Sequence, residues 1–195
     1  YTKNGMIKRT PLSLYNTRIT KIQACGLKDG DKVVNVELTN GFKDILIISM
    51  NGMSIRFRGN EVNTVGRTAI GVKAIHLKEG DSVVFAREID DEGEIIVITD
   101  RGFGKRTLVV DYQIQGRGGV GFRTFTFNKN KSNGRVLVDA FYVKDPYEII
   151  LQKSDGSTVR FNTEDISISE RNGKGEALTG ELMDNDIIHA YRNYN

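Results

Sequence analysis

Near-continuous aliphatic runs return along the chain at intervals of roughly fifty residues: Asp44-Ile-Leu-Ile-Ile-Ser-Met50, Ile95-Ile-Val-Ile-Thr-Asp100 and Glu148-Ile-Ile-Leu-Gln-Lys153. A short apolar run bounded by turn signals predicts a strand buried on both faces. Each run is followed by a glycine turn, at Asn51-Gly52, Gly102 and Asp155-Gly156. Such turns close two-residue hairpins. A returning strand with a basic end comes next: Ser54-Ile-Arg56-Phe57, Lys105-Arg106-Thr107 and Thr158-Val-Arg160-Phe161. The opening phrase Gly5-Met-Ile-Lys8-Arg9-Thr10 has the same form, with a strand predicted over Ile7–Thr10.

The later part of each period is also shared. A loop carries a second arginine four residues before a glycine, as in Arg67 and Gly71, Arg117 and Gly121, and Arg171 and Gly175. The first copy departs from this, with Arg18 followed by Ile22. A turn and strand then recur as Leu27-Lys-Asp-Gly30-Asp31-Lys-Val-Val, Leu77-Lys-Glu-Gly80-Asp81-Ser-Val-Val and Leu182-Met-Asp-Asn-Asp186-Ile-Ile. Alternation predicts further strands over Thr17–Ala24 and Phe122–Phe127, and Asn128–Gly134 is a polar insertion. No segment sustains a 3.6-residue period with caps, so almost no helix is expected. Four copies result, over residues 1–44, 45–94, 95–148 and 149–195. A unit of this size cannot bury both faces alone and must stack on its neighbours. The pattern predicts one all-β domain, a propeller-like or pinwheel-like array of about four four-stranded blades.

Composition narrows the chemistry. Glycine is abundant (21) and proline scarce (2), as many tight turns between short strands require. The single cysteine, Cys25, excludes an internal disulfide and a cysteine-based zinc cluster, and reads as a small buried apolar residue. His76 and His189 have no third partner and read as surface or interface residues, so no metal is expected. No apolar run reaches membrane-spanning length and no signal peptide opens the chain. The start at Tyr1, without an initiator methionine, reads as that of an excised fragment.

The formal net charge is only +3, so placement matters more than sum. The arginine pairs Arg9/Arg18, Arg56/Arg67, Arg106/Arg117 and Arg160/Arg171 repeat in register. Together with Lys8, Lys21, Arg58, Lys73, Lys105, Arg123 and Lys174 they predict a periodic basic track for duplex DNA. The acids of Asp29/Asp31, Glu79/Asp81, Asp90–Glu94 and Asp184/Asp186 fall in other turns. The second arginine of each pair has an alternative role, anchoring its loop through a carboxylate such as Asp111 or Asp165. Phe57, Phe103, Tyr112 and Phe161 read as core or interface residues. No nucleophile, base and acid recur together, so the chain has no predicted catalytic site and no predicted cofactor.

At these residues the chain resembles the C-terminal domain of the A subunit of bacterial DNA gyrase and of its paralogue topoisomerase IV. The likeness is carried by Asp44-Ile-Leu-Ile through Arg56-Phe57, by Val65-Gly-Arg67-Thr-Ala-Ile-Gly71-Val-Lys73, and by Thr99-Asp-Arg-Gly102-Phe-Gly-Lys105-Arg106-Thr107 with Arg117-Gly-Gly119 downstream. It covers essentially the whole chain. It implies a β-pinwheel of Greek-key blades with strands exchanged between neighbours, and DNA bent around a positive rim. It further implies a non-catalytic part of an ATP-dependent type II topoisomerase, partnered by the ATPase B subunit in the bacterial cytoplasm and joined to the rest of its own chain. The gyrase hallmark, Gln-basic-Arg-Gly-Gly-basic-Gly, is met only by Gln115-Gly-Arg117-Gly-Gly-Val-Gly121, which lacks both flanking bases. Six blades are usual in that family, so two blades and the hallmark are expected upstream of Tyr1. The wording from Gly102 to Gly121 leans towards gyrase. A protein-interaction propeller is the alternative, distinguished by an apolar docking patch in place of bases on every blade.

Overall fold

In this computed structural model, residues 1–178 and 186–194 are described. The chain is all-β: among these residues lie thirteen strands and four short 3-10 turns. The aliphatic runs form β2 (Asp44–Ser49), β6 (Glu94–Thr99) and β10 (Glu148–Lys153). Each folds back through its glycine turn onto β3 (Met53–Arg58), β7 (Phe103–Leu108) or β11 (Thr158–Asn162). On the other side each pairs with β5 (Val83–Ile89), β9 (Leu137–Val143) or β13 (Ile187–Arg192). All these pairings are antiparallel. The register slips at one equivalent place in each of these three sheets, at Ile48/Ser49, Ile98/Thr99 and Gln152/Lys153. The fourth copy's turn, Leu182–Asp186, lies outside the described residues except for Asp186.

The fourth strand of a sheet comes from the next copy. β8 (Phe122–Arg123) pairs with β3, and β12 (Glu176–Ala177) pairs with β7. β4 (Val72–Lys73) pairs in the same way with β1 (Met6–Ile7). The sheets therefore run β5-β2-β3-β8 and β9-β6-β7-β12, with β13-β10-β11 behind them. Inner strand β9 meets β5 on one side and β13 on the other along a hub, and the lent strands form the outer edge. Glycine makes the lending possible. At Gly121 (φ +75°) a Cβ would sit 2.2 Å from the Ser54 carbonyl oxygen, and at Gly71 (φ +92°) 2.2 Å from that of Ile7.

Stacking explains the unbroken aliphatic runs. Ile45 and Ile47 of β2 pack towards the first copy with Ile7, Phe57 and Val62. The alternate residues, Leu46 and Ile48, pack towards β6 against Ile95 and Val97. In turn Ile96 and Ile98 face Ile149 and Leu151. Side chains alternate along a strand, so a sheet sandwiched between two others buries both sets. Each fully buried aliphatic side chain contributes about 1.5–3 kcal/mol of transfer free energy.

The first copy differs from expectation. Residues 17–24 form no ladder, and of Leu27–Val36 only Val33 makes a bridge, to Thr2. A strand gains its stability from a partner, and this one meets only the short N-terminal segment, where Lys3 and Tyr1 exchange backbone hydrogen bonds with Lys32 and Val34. Phe122–Phe127 likewise keeps only its first two residues as strand, because Thr124 and Phe125 turn to hydrogen-bond the Gly52 carbonyl. Cys25 is half-buried, not fully buried.

Candidate nucleic-acid interface

The arginine motif lies at the joints between successive copies. The backbone carbonyls of Arg9, Arg56 and Arg106 accept hydrogen bonds from the N–H groups of Val65, Gln115 and Ser169 at 2.9, 2.8 and 2.8 Å. Each donor stands two residues before the next copy's second arginine. That arginine then reaches back: the guanidinium Nη1 of Arg67, Arg117 and Arg171 donates to the carbonyl of Gln23, Lys73 and Arg123, respectively. Arg117 also takes up Glu61, through its own backbone N–H at 3.0 Å and through Nε to the Glu61 carbonyl at 3.4 Å. These loops are thus anchored mainly on backbone carbonyls. The anchoring carboxylates expected at Asp111 and Asp165 are not the partners found. Arg171 additionally lies 5.2 Å from the Phe122 ring centroid.

Two residues expected on the basic track are turned inward. Arg56 is 4% exposed. Its Nε and Nη2 both lie 2.8 Å from Asp44 Oδ2, its Nη1 donates to the Val109 and Tyr112 carbonyls, and its Nη2 also meets Asp91. Every donor direction of the fork is taken, so none is left for a phosphate. Lys105 is 1% exposed, and its Nζ donates to Thr107 Oγ1 at 2.6 Å and the Glu170 carbonyl at 3.0 Å. Lys8, at the matching place in the first copy, is half-buried and donates to the carbonyls of Ala24 and Arg67. Arg9 donates from Nε to the Val62 carbonyl at 2.6 Å, and Arg106 pairs with Glu94 at 3.2 Å. Position in the repeat accounts for this: a base near the end of a return strand lies against the turn or loop that follows and against the carboxylate across its own hairpin.

Sequence reasoning missed the acid partners, although a signal existed. Asp44, Glu94 and Glu148 each stand twelve residues before Arg56, Arg106 and Arg160 and pair with them across the hairpin. The expected segregation of acids from bases is corrected at Asp90–Glu94. Asp90 pairs with Lys43 and Lys144, Asp91 with Arg56, and Glu94 with Arg106.

Of the bases expected on the track, Arg18, Lys21, Arg58, Lys73, Arg123, Arg160 and Lys174 are exposed. Arg58 and Arg160 share carboxylates, with Asp44 at 3.0 Å and Glu148 at 3.5 Å. Lys73 and Arg123 close the lent strands β4 and β8, and hence lie on the outermost strand of the array. Lys21 and Lys174 occupy the third place after Arg18 and Arg171, where Ile70 and Val120 stand in the other two copies. Among the described residues no cluster of histidine, cysteine or carboxylates could hold a metal ion.

Two groups that folding withdraws from water, buried Lys105 and half-buried Asp139, give the fold a pH signature. Burial, with Arg171 nearby, lowers the Lys105 ammonium to about 7 from 10.5. Burial raises the Asp139 carboxyl on inner strand β9 to about 7 from 3.8. Between pH 3.8 and 7 the folded state holds the Asp139 proton that the unfolded state has released, so stability falls as pH rises. Between pH 7 and 10.5 the unfolded state keeps the Lys105 proton that the folded state has lost, so stability rises. These two groups therefore impose a minimum near neutrality. Chemical denaturation across pH is expected to show Asp139→Asn removing the acid-side fall and Lys105→Met the alkaline-side rise. Each limb has a slope of at most about 1.4 kcal/mol per pH unit.

Exchanged outer strands, a hub of inner strands and arginine-built joints define a propeller-like array of the pinwheel kind. Comparison with known proteins specifies it further. A family profile described as "DNA gyrase C-terminal domain, beta-propeller" matches residues 2–40, 43–90, 93–130 and 154–188, and the chain belongs to this family. Among curated relatives, the A subunit of DNA gyrase from Staphylococcus epidermidis is 37% identical over 91% of this chain. Its counterpart from Haloquadratum walsbyi is 36% identical over 96%. The chain spans only about a fifth of those relatives' length, 20% and 22%. Among solved structures, a C-terminal domain of DNA topoisomerase IV superposes with a TM-score of 0.88 at 28% identity, covering 98% of this chain and 59% of that one. A DNA gyrase A C-terminal domain gives a TM-score of 0.80 at 22% identity, covering 98% and 63%. This chain is thus a C-terminal domain of the topoisomerase A-subunit type.

Proposed function

We propose that the domain binds duplex DNA with little regard to sequence and bends it along the outer edge of the array. It would do so for a type II topoisomerase whose A chain works with an ATPase B chain on DNA in the cytoplasm. The carrying observation is the position of Lys73 and Arg123 at equivalent places on the outermost strands, with Lys21 and Lys174 exposed in the loops of the first and fourth copies. The repeat limits 1–44, 45–94, 95–148 and 149–195 serve as the units of this edge.

Each phosphate neutralised releases condensed counterions, with a salt slope of about −0.9 per phosphate. Bending 20–30 base pairs by 40–90° costs about 1–6 kcal/mol. Bases spread along an arc offset that cost, whereas one patch holds the duplex at a single point. The joint arginines have a supporting role, holding one copy rigid against the next so that the exposed bases keep their spacing. Relatedness to the gyrase A chains favours supercoiling as the parent activity; the topoisomerase IV likeness supports strand passage without it. In a gel-retardation salt series on linear duplex, affinity is expected to fall steeply with salt and to vary little with sequence. Salt-independent binding, or none, would refute the reading.

A second reading, a protein-docking module, has one feature in its favour. Val36, Leu38 and Phe42 in the first copy are 81%, 80% and 84% exposed. An apolar patch of that kind suits a protein surface better than a phosphate backbone.

A further inference from the structure

The hub contains a site that DNA binding on the outer edge leaves unused. A cavity of about 250 Å3 opens among β5, β9 and the end of β13. Two side chains of opposite charge line it without meeting. The Asp139 carboxylate accepts one hydrogen bond, from the Ala140 N–H at 2.7 Å, and has no cationic partner among the described residues. Burial disfavours its charged form, which marks it as uncompensated. The Arg192 guanidinium lies 4.1 Å from the Tyr147 ring centroid and 5.2 Å from that of Tyr194, and it has no carboxylate partner among the described residues. The other arginine of the lining, Arg87, is already directed to Glu37 at 3.8 Å.

The two charges stand at different heights in their own sheets. Leu137 and Ile187 hold the same position, opposite the last residues of β6 and β10. Asp139 is two residues beyond Leu137, and Arg192 five beyond Ile187. The offset of three residues is about 10 Å of rise along a strand, to which the sideways distance between the two sheets adds. Asp139 is half-buried, and a carboxylate withdrawn from water without a partner is costly. Arg192 is exposed at the mouth of the cavity, where its guanidinium fork fits a carboxylate in two parallel hydrogen bonds. A lone cation or a lone anion would satisfy one end only.

We propose that the hub cavity binds a small zwitterion whose ammonium and carboxylate are several bonds apart, as in an ω-amino acid, with the ammonium on Asp139 and the carboxylate on Arg192. The tyrosine rings beside Arg192 restrict its guanidinium. The site stands independently of the DNA reading, since none of its residues lies on the outer edge.

The test uses the whole chain and three probes, 6-aminohexanoate, hexanoate and hexylamine, in titration calorimetry and amide NMR at pH 8. The zwitterion is expected to bind at least tenfold more tightly than either single-ended analogue and to shift the amide signals of both β9 and β13. Asp139→Asn and Arg192→Gln are each expected to erase that advantage. Should Arg192→Gln disturb the fold, Asp139→Asn carries the test alone, because it removes an unmatched, half-buried charge and keeps the shape. Equal binding of the three probes, no binding at millimolar concentration, or an advantage that survives in Asp139→Asn would overturn the proposal.

Discussion

Replacing Arg56 by alanine is expected to lower stability by about 3–5 kcal/mol, the range found when one member of a buried ion pair is removed. The cost arises in three places. Asp44, 4% exposed, would be left as a buried carboxylate with only the exposed Arg58 beside it. The Tyr112 carbonyl would lose the Arg56 donor, the Val109 carbonyl would keep only the Tyr112 N–H, and Asp91 would lose its hold on the joint. A domain of this size is stable by only about 5–15 kcal/mol, so the loss takes a large share. Denaturant unfolding followed by far-UV circular dichroism measures it. A loss below about 1 kcal/mol would show that the joint does not depend on this arginine. Arg56→Lys is expected to recover little, since an ammonium cannot satisfy two carboxylates and two carbonyls in the geometry of a planar fork.

The exposed bases should behave in the opposite way. A variant with Lys21, Lys73, Arg123 and Lys174 changed to glutamine is expected to fold with near-native stability, because none of these four side chains donates a hydrogen bond or enters an ion pair among the described residues. The Arg171 hook onto Arg123 uses the backbone carbonyl, which the substitution keeps. DNA affinity at low salt should drop by more than tenfold. The slope of log affinity against log salt should become shallower by about 0.9 for each phosphate no longer neutralised. Retained affinity with an unchanged slope would move the DNA surface elsewhere. Lost stability would mean that these bases, too, are structural.

These contrasting expectations separate what the residues alone reveal from what they do not. The aliphatic runs, glycine turns and fifty-residue period were enough for the sheets, because burial on both faces leaves its mark in consecutive apolar side chains. The strand exchange followed from the resemblance; its mark in the sequence is the glycine four residues after Arg67, Arg117 and Arg171. Which way an arginine points was not legible. Arg56 and Arg160 occupy the same place in their copies, yet one is buried and the other exposed. The difference is made by the next copy, which supplies Val109, Tyr112 and the Gln115 N–H over Arg56, while no described copy follows Arg160. Sequence periodicity reports equivalence within a unit, and burial at a joint depends on what is stacked against it. The acid twelve residues before each arginine was the available clue that these guanidinium groups had partners within the protein. For Lys105 no such clue existed, since its acceptors are a threonine two residues on and a backbone carbonyl of the following copy.

If a duplex follows the outer edge from copy to copy on a wrapped, handed path, its writhe must change when the domain binds. Closing nicked circular DNA with ligase in the presence of increasing amounts of the protein, then reading the linking number after deproteinisation, detects that change. The expected result is a shift that grows with bound protein and is largely lost in the variant lacking Lys21, Lys73, Arg123 and Lys174. Binding at saturation with an unaltered linking number would contradict a wrapped path of the duplex along this edge.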